Sequence, residues 1–251
     1  MDKALYVAMS GAQANLRAQA AVSHNLANVS TAGFKALLHA TEAFPAKGGE
    51  VGSRTYTMGD VGGFDATGGS LQTTGNPLDF ALNGADLWMS VADRGGQPAY
   101  TRATDLKLDA TGRLMNGRGE PVLDDAGQPI ALPPFQSLSV GGDGTVAIVA
   151  LGDATGTAQN VARIGVVRAD PTKLQRGEDG LFRPTSTDPA VQPQAAAGEV
   201  LMSGVLENSN VNATEQLVAM ISLSRQFEMN LKVIRSGDEN AQAANTLLRA
   251  R

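Results

Sequence analysis

Apolar residues recur in alternating steps of four and three at both ends of this chain, and nowhere in the long middle. At the front, Leu5, Met9, Ala12, Leu16, Gln19, Ser23 and Leu26 keep that spacing; at the back it is kept by Leu217, Met220, Ser224, Phe227, Leu231, Ile234, Asp238, Ala241, Asn245 and Leu248. Such spacing holds one seam of a helix toward a partner, so it predicts helices near residues 2–28 and 213–249. Asp2 stands where an N-cap belongs, and Asn212 with Glu215 three positions later resembles a capping box. The front seam is weak, since it includes Ala12, Gln19 and Ser23, and Gly11 costs about 1 kcal/mol relative to alanine. That helix must draw stability from contacts beyond itself.

Proline separates these ends from the rest. Pro45 stands alone and the other prolines fall between Pro77 and Pro193, leaving both helical stretches free of a residue that costs about 3 kcal/mol in a helix interior. Residues 37–74, with Gly48, Gly49, Gly52, Gly59, Gly62, Gly63, Gly68 and Gly69, read as extended strands and loop. Beyond Gly75 the turns become regular. Asn83-Gly84 between Leu78–Leu82 and Leu87–Ala92 predicts a tight hairpin. Short strands are expected around 99–103, 106–109, 113–115, 122–123, 145–149 and 162–167, separated by Thr111-Gly112, Asn116-Gly117 and Gly141-Gly142-Asp143-Gly144. No long helical crossover separates them, so the sheet is expected to be antiparallel rather than parallel α/β. The fold class is α+β: terminal helices forming a coiled-coil-like layer and a central, mainly antiparallel β domain. The boundaries are 1–36 for the first helix and the motif after it, 37–74 for the extended region, 75–200 for the β domain and 201–251 for the last helix.

Composition narrows what this architecture can do. Aromatic residues make up only 4% and there are 29 glycines in 251 residues, which indicates a thin, turn-rich core rather than a large enzyme-like interior. The net charge of -5 comes without a run of either sign, and phosphate binding needs a clustered basic face, so nucleic acid is not an expected partner. The chain has no cysteine, which removes disulfides and thiolate metal sites. No apolar stretch reaches membrane-spanning length, and no secretory signal is evident at the start, so no membrane insertion is expected, and the protein is either cytoplasmic or exported without a cleaved signal.

Three motifs then resemble one family. Asn25-Leu26-Ala27-Asn28-Val29-Ser30-Thr31-Ala32-Gly33-Phe34-Lys35 is similar to the N-terminal signature of bacterial flagellar rod and hook proteins. Thr74-Gly75-Asn76-Pro77-Leu78-Asp79-Phe80-Ala81-Leu82-Asn83-Gly84, with Tyr100-Thr101-Arg102 and Asp109-Ala110-Thr111-Gly112-Arg113-Leu114, resembles the central domain of the hook and distal rod group. Ser203-Gly204-Val205-Leu206-Glu207-Asn208-Ser209-Asn210-Val211-Asn212, continuing through Arg225-Gln226-Phe227-Glu228 to Ala241-Gln242-Ala243-Ala244-Asn245, resembles the C-terminal helix region. The three lie in order across nearly the whole chain. The opening segment and the short length are most like a rod member, with the distal rod member as the runner-up. Where relatives commonly carry Gly-x-Gly-Phe-Phe, this chain has Gly84-Ala85-Asp86-Leu87-Trp88-Met89.

The resemblance implies a structural subunit of the flagellar basal-body rod, a hollow shaft that crosses the periplasm and transmits torque. Its implied partners are other copies of the chain, proximal and distal rod proteins and the flagellar type III export apparatus, with no cofactor and no catalysis. Subunit packing would fall to Leu5, Met9, Leu16, Asn25, Leu26, Asn28, Gly33, Phe34, Leu217, Met220, Phe227, Leu231, Ile234 and Leu248. A polymer needs heterologous contacts repeated from copy to copy, and seams mixing apolar with Ser, Asn, Gln and Asp residues supply both adhesion and register. On the residues alone, Gly33 suits a left-handed helix exit and Phe34 an apolar anchor. Asn25 and Asn28 read either as solvated residues or as groups bonding backbone at the turn or across subunits.

Catalytic readings find little footing. His24 and His39 lack the partner spacing of a zinc site. Gly141-Gly142-Asp143-Gly144 lacks the Lys and Ser or Thr of a phosphate loop, and Asp124-Asp125 ahead of Gly127 reads as a solvated turn rather than an acid and base pair. A secreted adhesion module, or a cell-wall-binding or hydrolase module, remains the rival class, to be separated by whether a cleft holds a positioned acid and base.

Overall fold

The computed structural model describes residues 2–45, 55–152, 156–188 and 191–249, with side chains placed except in residues 2–4, 40–62, 244–245 and 247–249. The chain forms two compact units that interleave along the sequence: residues 1–28, 36–65 and 211–251 in the first, residues 29–35 and 66–210 in the second.

The first unit contains α1 (Asp2–Ala27), the strands β1 (Leu37–Pro45) and β2 (Thr55–Phe64), and α2 (Ala213–Arg249). Both helices begin and end within a residue or two of the limits read from spacing and proline. Asn212 caps α2, its Oδ1 accepting from the amides of Thr214 at 3.1 Å and Glu215 at 3.4 Å; the side chain of Asp2 lies outside the described residues. The glycine-rich stretch becomes an antiparallel pair in which Leu37 faces Phe64 and Pro45 faces Thr55, with a register shift between Leu37 and His39.

The helices run antiparallel, since Asn25 meets Gln216, Gly11 lies against Asn230 and Gly237 against Leu5. What α1 buries is a stripe of small residues, Ala8, Ala12, Ala14, Ala18 and Ala21. Small side chains let two helix backbones come close, and at Gly11 an added Cβ would sit only 3.3 Å from the Asn230 side chain. The glycine that weakens the isolated helix thus lies at its close approach to α2.

The second unit carries β3 (Leu71–Thr73), β4 (Phe80–Leu82), β5 (Leu87–Ala92), β6 (Pro98–Thr101), β7 (Leu106–Leu108), β8 (Leu114–Asn116), β9 (Phe135–Val140), β10 (Thr145–Ala150), β11 (Gln159–Arg163), β12 (Val166–Arg168), β13 (Leu174–Arg176), β14 (Phe182–Pro184), β15 (Gln194–Ala195), β16 (Leu201–Ser203) and β17 (Val205–Glu207). A six-stranded sheet runs β13-β14-β6-β5-β12-β15, a three-stranded one β11-β10-β9, and β16-β4, β17-β3 and β7-β8 form pairs; all of these pairings are antiparallel. Every residue of β5 is buried. Because side chains alternate across a strand, both faces of β5 are covered: Leu87, Met89 and Val91 enter the main apolar cluster with Phe80, Leu114, Val122 and Ile164, while Trp88 meets the ring of Phe182 at 4.6 Å on the other face.

One hairpin expected from sequence is absent. Asn83-Gly84 does not join β4 to β5 as a ladder; β4 pairs with β16, Leu82 opposite Leu201, and β5 pairs with β6 and β12. Neither Asn83 nor Gly84 takes the positive φ of a two-residue hairpin turn. Instead Asn83 donates its amide to Val200 at 2.9 Å and its side chain to the Glu199 carbonyl at 3.3 Å, which holds the chain alongside β16.

Four of the turns that do reverse the chain share one design. In 93–97, 109–113, 116–120 and 124–128 the first residue is Asp or Asn and the fourth is glycine. The glycine amide bonds back to the first carbonyl, the first amide bonds to the fifth carbonyl, and the first side chain accepts from the third and fifth amides. The glycines at the fourth place all have positive φ, from 76° at Gly127 to 85° at Gly119, the left-handed position of a hairpin turn closed by a bulge. Asp124 is thus committed to the amides of Ala126 and Gln128, and Asp143 to the amide of Thr145 at 3.0 Å.

Candidate functional site: helix faces and a buried clamp

Two sites draw together the residues singled out by sequence, one in each unit. In the first unit, the half-buried positions of α2 include Ala213, Gln216, Met220, Leu223, Phe227, Asn230, Ile234, Gly237 and Ala241, a continuous alternation of three and four. Met220, Phe227 and Ile234 therefore lie on the seam along with half-buried Leu231. Leu217 is 48% exposed, and Val218, Ile221, Met229 and Val233 are exposed by 54–60%, outside that seam. On α1, Leu5 lies toward Gly237 and Leu26 is half-buried, whereas Tyr6, Met9 and Leu16 are exposed, away from the alanine stripe. The side chain of Leu248 lies outside the described residues.

Asn25 is 3% exposed and fixes the entry of β1: Leu37 donates its amide to Oδ1 at 2.8 Å, and Nδ2 donates to the Leu37 carbonyl at 3.0 Å and to Gln216 Oε1 at 3.4 Å. Asn28 closes the end of α1 by donating Nδ2 to the His24 carbonyl at 2.8 Å. Between the two alternatives for these asparagines, both bond backbone within the chain. Among the described residues, no group of three His, Asp or Glu side chains is placed to hold a metal.

In the second unit, the segment 29–35 forms a strap over the β strands. Gly33 has φ of 64°, and its amide donates to the Glu207 carbonyl at 2.7 Å. A Cβ there would lie 2.0 Å from the Arg102 carbonyl oxygen, so glycine is required both by conformation and by approach. Phe34 is 5% exposed under the Arg176 guanidinium, 4.5 Å from its ring centre. The motif thus packs against its own chain.

Next to it lies a buried ion cluster that spacing did not reveal. Glu207 Oε2 accepts from Arg102 Nε at 2.8 Å and Nη2 at 2.6 Å, while Oε1 accepts from Lys35 Nζ at 2.8 Å and the Gly69 amide at 2.9 Å. Lys35 Nζ also donates to the Thr67 carbonyl at 2.6 Å, and Arg102 Nη1 to the carbonyls of Gly84 and Leu87 at 2.8 Å each. All three side chains are nearly inaccessible, at 2%, 4% and 3% for Lys35, Arg102 and Glu207. Burial alone would push the Glu207 carboxyl up; Arg102 and Lys35, with the Gly69 amide, outweigh it and hold the group below its ordinary value. Burial also brings Arg176 down to about 10, with Arg118 adding to the shift. The sequence signal was a single charge embedded in each of three separate motifs, Phe34-Lys35, Thr101-Arg102 and Leu206-Glu207.

Comparison with known proteins covers both sites. Residues 5–35 match the model of the flagella basal body rod protein family, residues 81–148 that of the flagellar hook protein FlgE/F/G D1 domain, and residues 202–247 that of the flagellar basal body rod FlgEFG protein C-terminal region. The chain is 41% identical over 256 aligned residues to the flagellar basal-body rod protein FlgF of Escherichia coli (strain K12), covering 99% of each. The chain belongs to the FlgF family of flagellar basal-body rod proteins. The FlgF of Salmonella typhimurium is also 41% identical over 99% of each chain, and the FlgG rod protein of Bacillus subtilis is 34% identical over 99% of this chain and 100% of its own. A FlgF-family chain is a structural subunit of the flagellar basal-body rod. Leu87-Trp88-Met89 lies in a strand buried on both faces, where the Trp88 ring meets Phe182 and the Arg102 guanidinium.

Proposed function

We propose that this rod subunit polymerises through the faces of its terminal helices that its own fold leaves open. The supporting observation is that α2 carries a second set of apolar residues outside the seam that packs within the chain. This set is Leu217, Val218, Ile221, Met229 and Val233, between 48% and 60% exposed. Isolated exposed apolar residues are ordinary, but five large ones on a single helix leave surface that another chain can cover. Met9 and Leu16 of α1, also exposed, supply the corresponding knobs on the first helix. Repetition of such heterologous contacts generates a helical tube, with the helices as its coiled-coil layer and the β units carrying no catalytic role. The occupants are other copies of the chain and proximal and distal rod proteins, in a shaft crossing the periplasm after passage through the flagellar type III export apparatus.

Replacing Ile221 with Asp tests this directly. The residue contributes little to the free chain because it is 55% exposed, so the unfolding free energy should change by no more than about 0.5 kcal/mol. Incorporation into rods, read by basal-body purification and by motility, should nevertheless fall sharply. Wild-type incorporation of a stably secreted Ile221→Asp chain would show that this face is not an interface.

A further inference from the structure

We infer that the strap of residues 29–35 opens and closes on the already folded β unit as a separate step, with Lys35 as its bolt. The division of Glu207 carries the argument. One carboxylate oxygen belongs to Arg102, which approaches it through both Nε and Nη2; the other is shared by Lys35 and the Gly69 amide. Withdrawal of Lys35 leaves Glu207 with Arg102 and Gly69 still in place, an electrically neutral and hydrogen-bonded pair. Withdrawal of Arg102 would likewise leave a neutral pair, Lys35 with Glu207, but would strand the carbonyls of Gly84 and Leu87 within the β unit. The cluster is complete in two states for the strap and in one state for the β strands.

Closure of the strap carries opposing contributions. Closure buries Phe34 and forms the main-chain bonds from Gly33 to Glu207 and from Asn210 to Phe34. Against these, closure removes the Lys35 ammonium from water, giving a buried cluster of two cations and one anion, and covers the Arg176 guanidinium. Desolvation of paired charges commonly cancels most of their attraction. The strap also adds no strand to any sheet, so its release breaks no ladder. Segments outside the sheets can open below the free energy of global unfolding.

Hydrogen exchange on the full-length chain provides the test, with Trp88 fluorescence as an independent monitor. Trp88 is the sole tryptophan and lies 5.8 Å from the Arg102 guanidinium. The amides of Gly33 and Asn210 should exchange well before those of Ser90 and Ala92 in β5. Lys35→Ala should speed the first pair by about tenfold or more, leaving β5 exchange and Trp88 emission unchanged; Phe34→Ala should act in the same direction. Arg102→Met should speed both regions together. Strap amides that exchange at the β5 rate in the unaltered chain would overturn the inference. So would a Lys35→Ala chain in which β5 loses protection equally and Trp88 emission shifts.

Discussion

The β unit and the helical unit use their apolar residues in opposite ways. In the β unit, large side chains such as Trp88, Phe80, Leu114 and Ile164 are at most 1% exposed, and even the charges at Lys35, Arg102 and Glu207 find partners inside. In the helical unit the deeply buried apolar residues of α1 are alanines, while Tyr6, Met9, Leu16, Val218, Ile221 and Met229 stand half or more exposed. One unit holds most of its large apolar side chains in its core, with Leu71, Val161 and Leu151 left at the surface. The other leaves several of its larger side chains exposed, the surface that the proposed polymer contacts would use.

The sharpest way to break this comparison is to strike the closed unit at its charges. Glu207→Gln would leave Arg102 buried without a counter-ion whether or not the strap withdraws Lys35, and removal of one member of a buried ion cluster costs about 3–5 kcal/mol. Denaturant unfolding followed through Trp88 should show a loss of that order. A loss below that of an ordinary surface substitution would mean that the cluster is hydrated and the β unit less closed than described.

A smaller effect is expected from acid. The Glu207 carboxyl is held below 4.5, and those of Asp93, Asp109, Asp143 and Asp179 below 3.8, the aspartates chiefly by side-chain hydrogen bonds from Arg183, Thr111, Thr145 and Arg183 respectively. A carboxyl lowered on folding adds stability that is complete above its unfolded value and is lost as pH falls through its folded value. Trp88-detected stability should therefore hold steady at neutral and mildly acidic pH, then decline from about pH 4.5 downward. Urea melts across that range check the sign; stability that rises on acidification would contradict it.

Much of this architecture was legible in the sequence, for identifiable reasons. Helix limits followed from a proline-free apolar period with Asn212 ahead of it, because capping and proline act locally. Four of the turns carry a five-residue pattern, Asp or Asn first and glycine fourth, that is equally local. Asn83-Gly84 misled because its neighbours β16 and the 199–200 segment, far along the chain, decide its conformation. The buried face of α1 was masked by its larger residues: spacing favours Met9 and Leu16, whereas close helix approach selects Ala14, Ala18 and Gly11. The Lys35, Arg102 and Glu207 cluster joins three positions up to 172 residues apart, and no local pattern encodes such a meeting.

Residue-level hydrogen exchange of the free chain and of the same chain within assembled rods tests the central claim most directly. Amides of α1 and α2 should gain protection on assembly, most around residues 217–233, while those of β5, β6 and β12 keep the protection they already have. Helix amides equally protected in both states, with new protection confined to the β strands, would contradict the account.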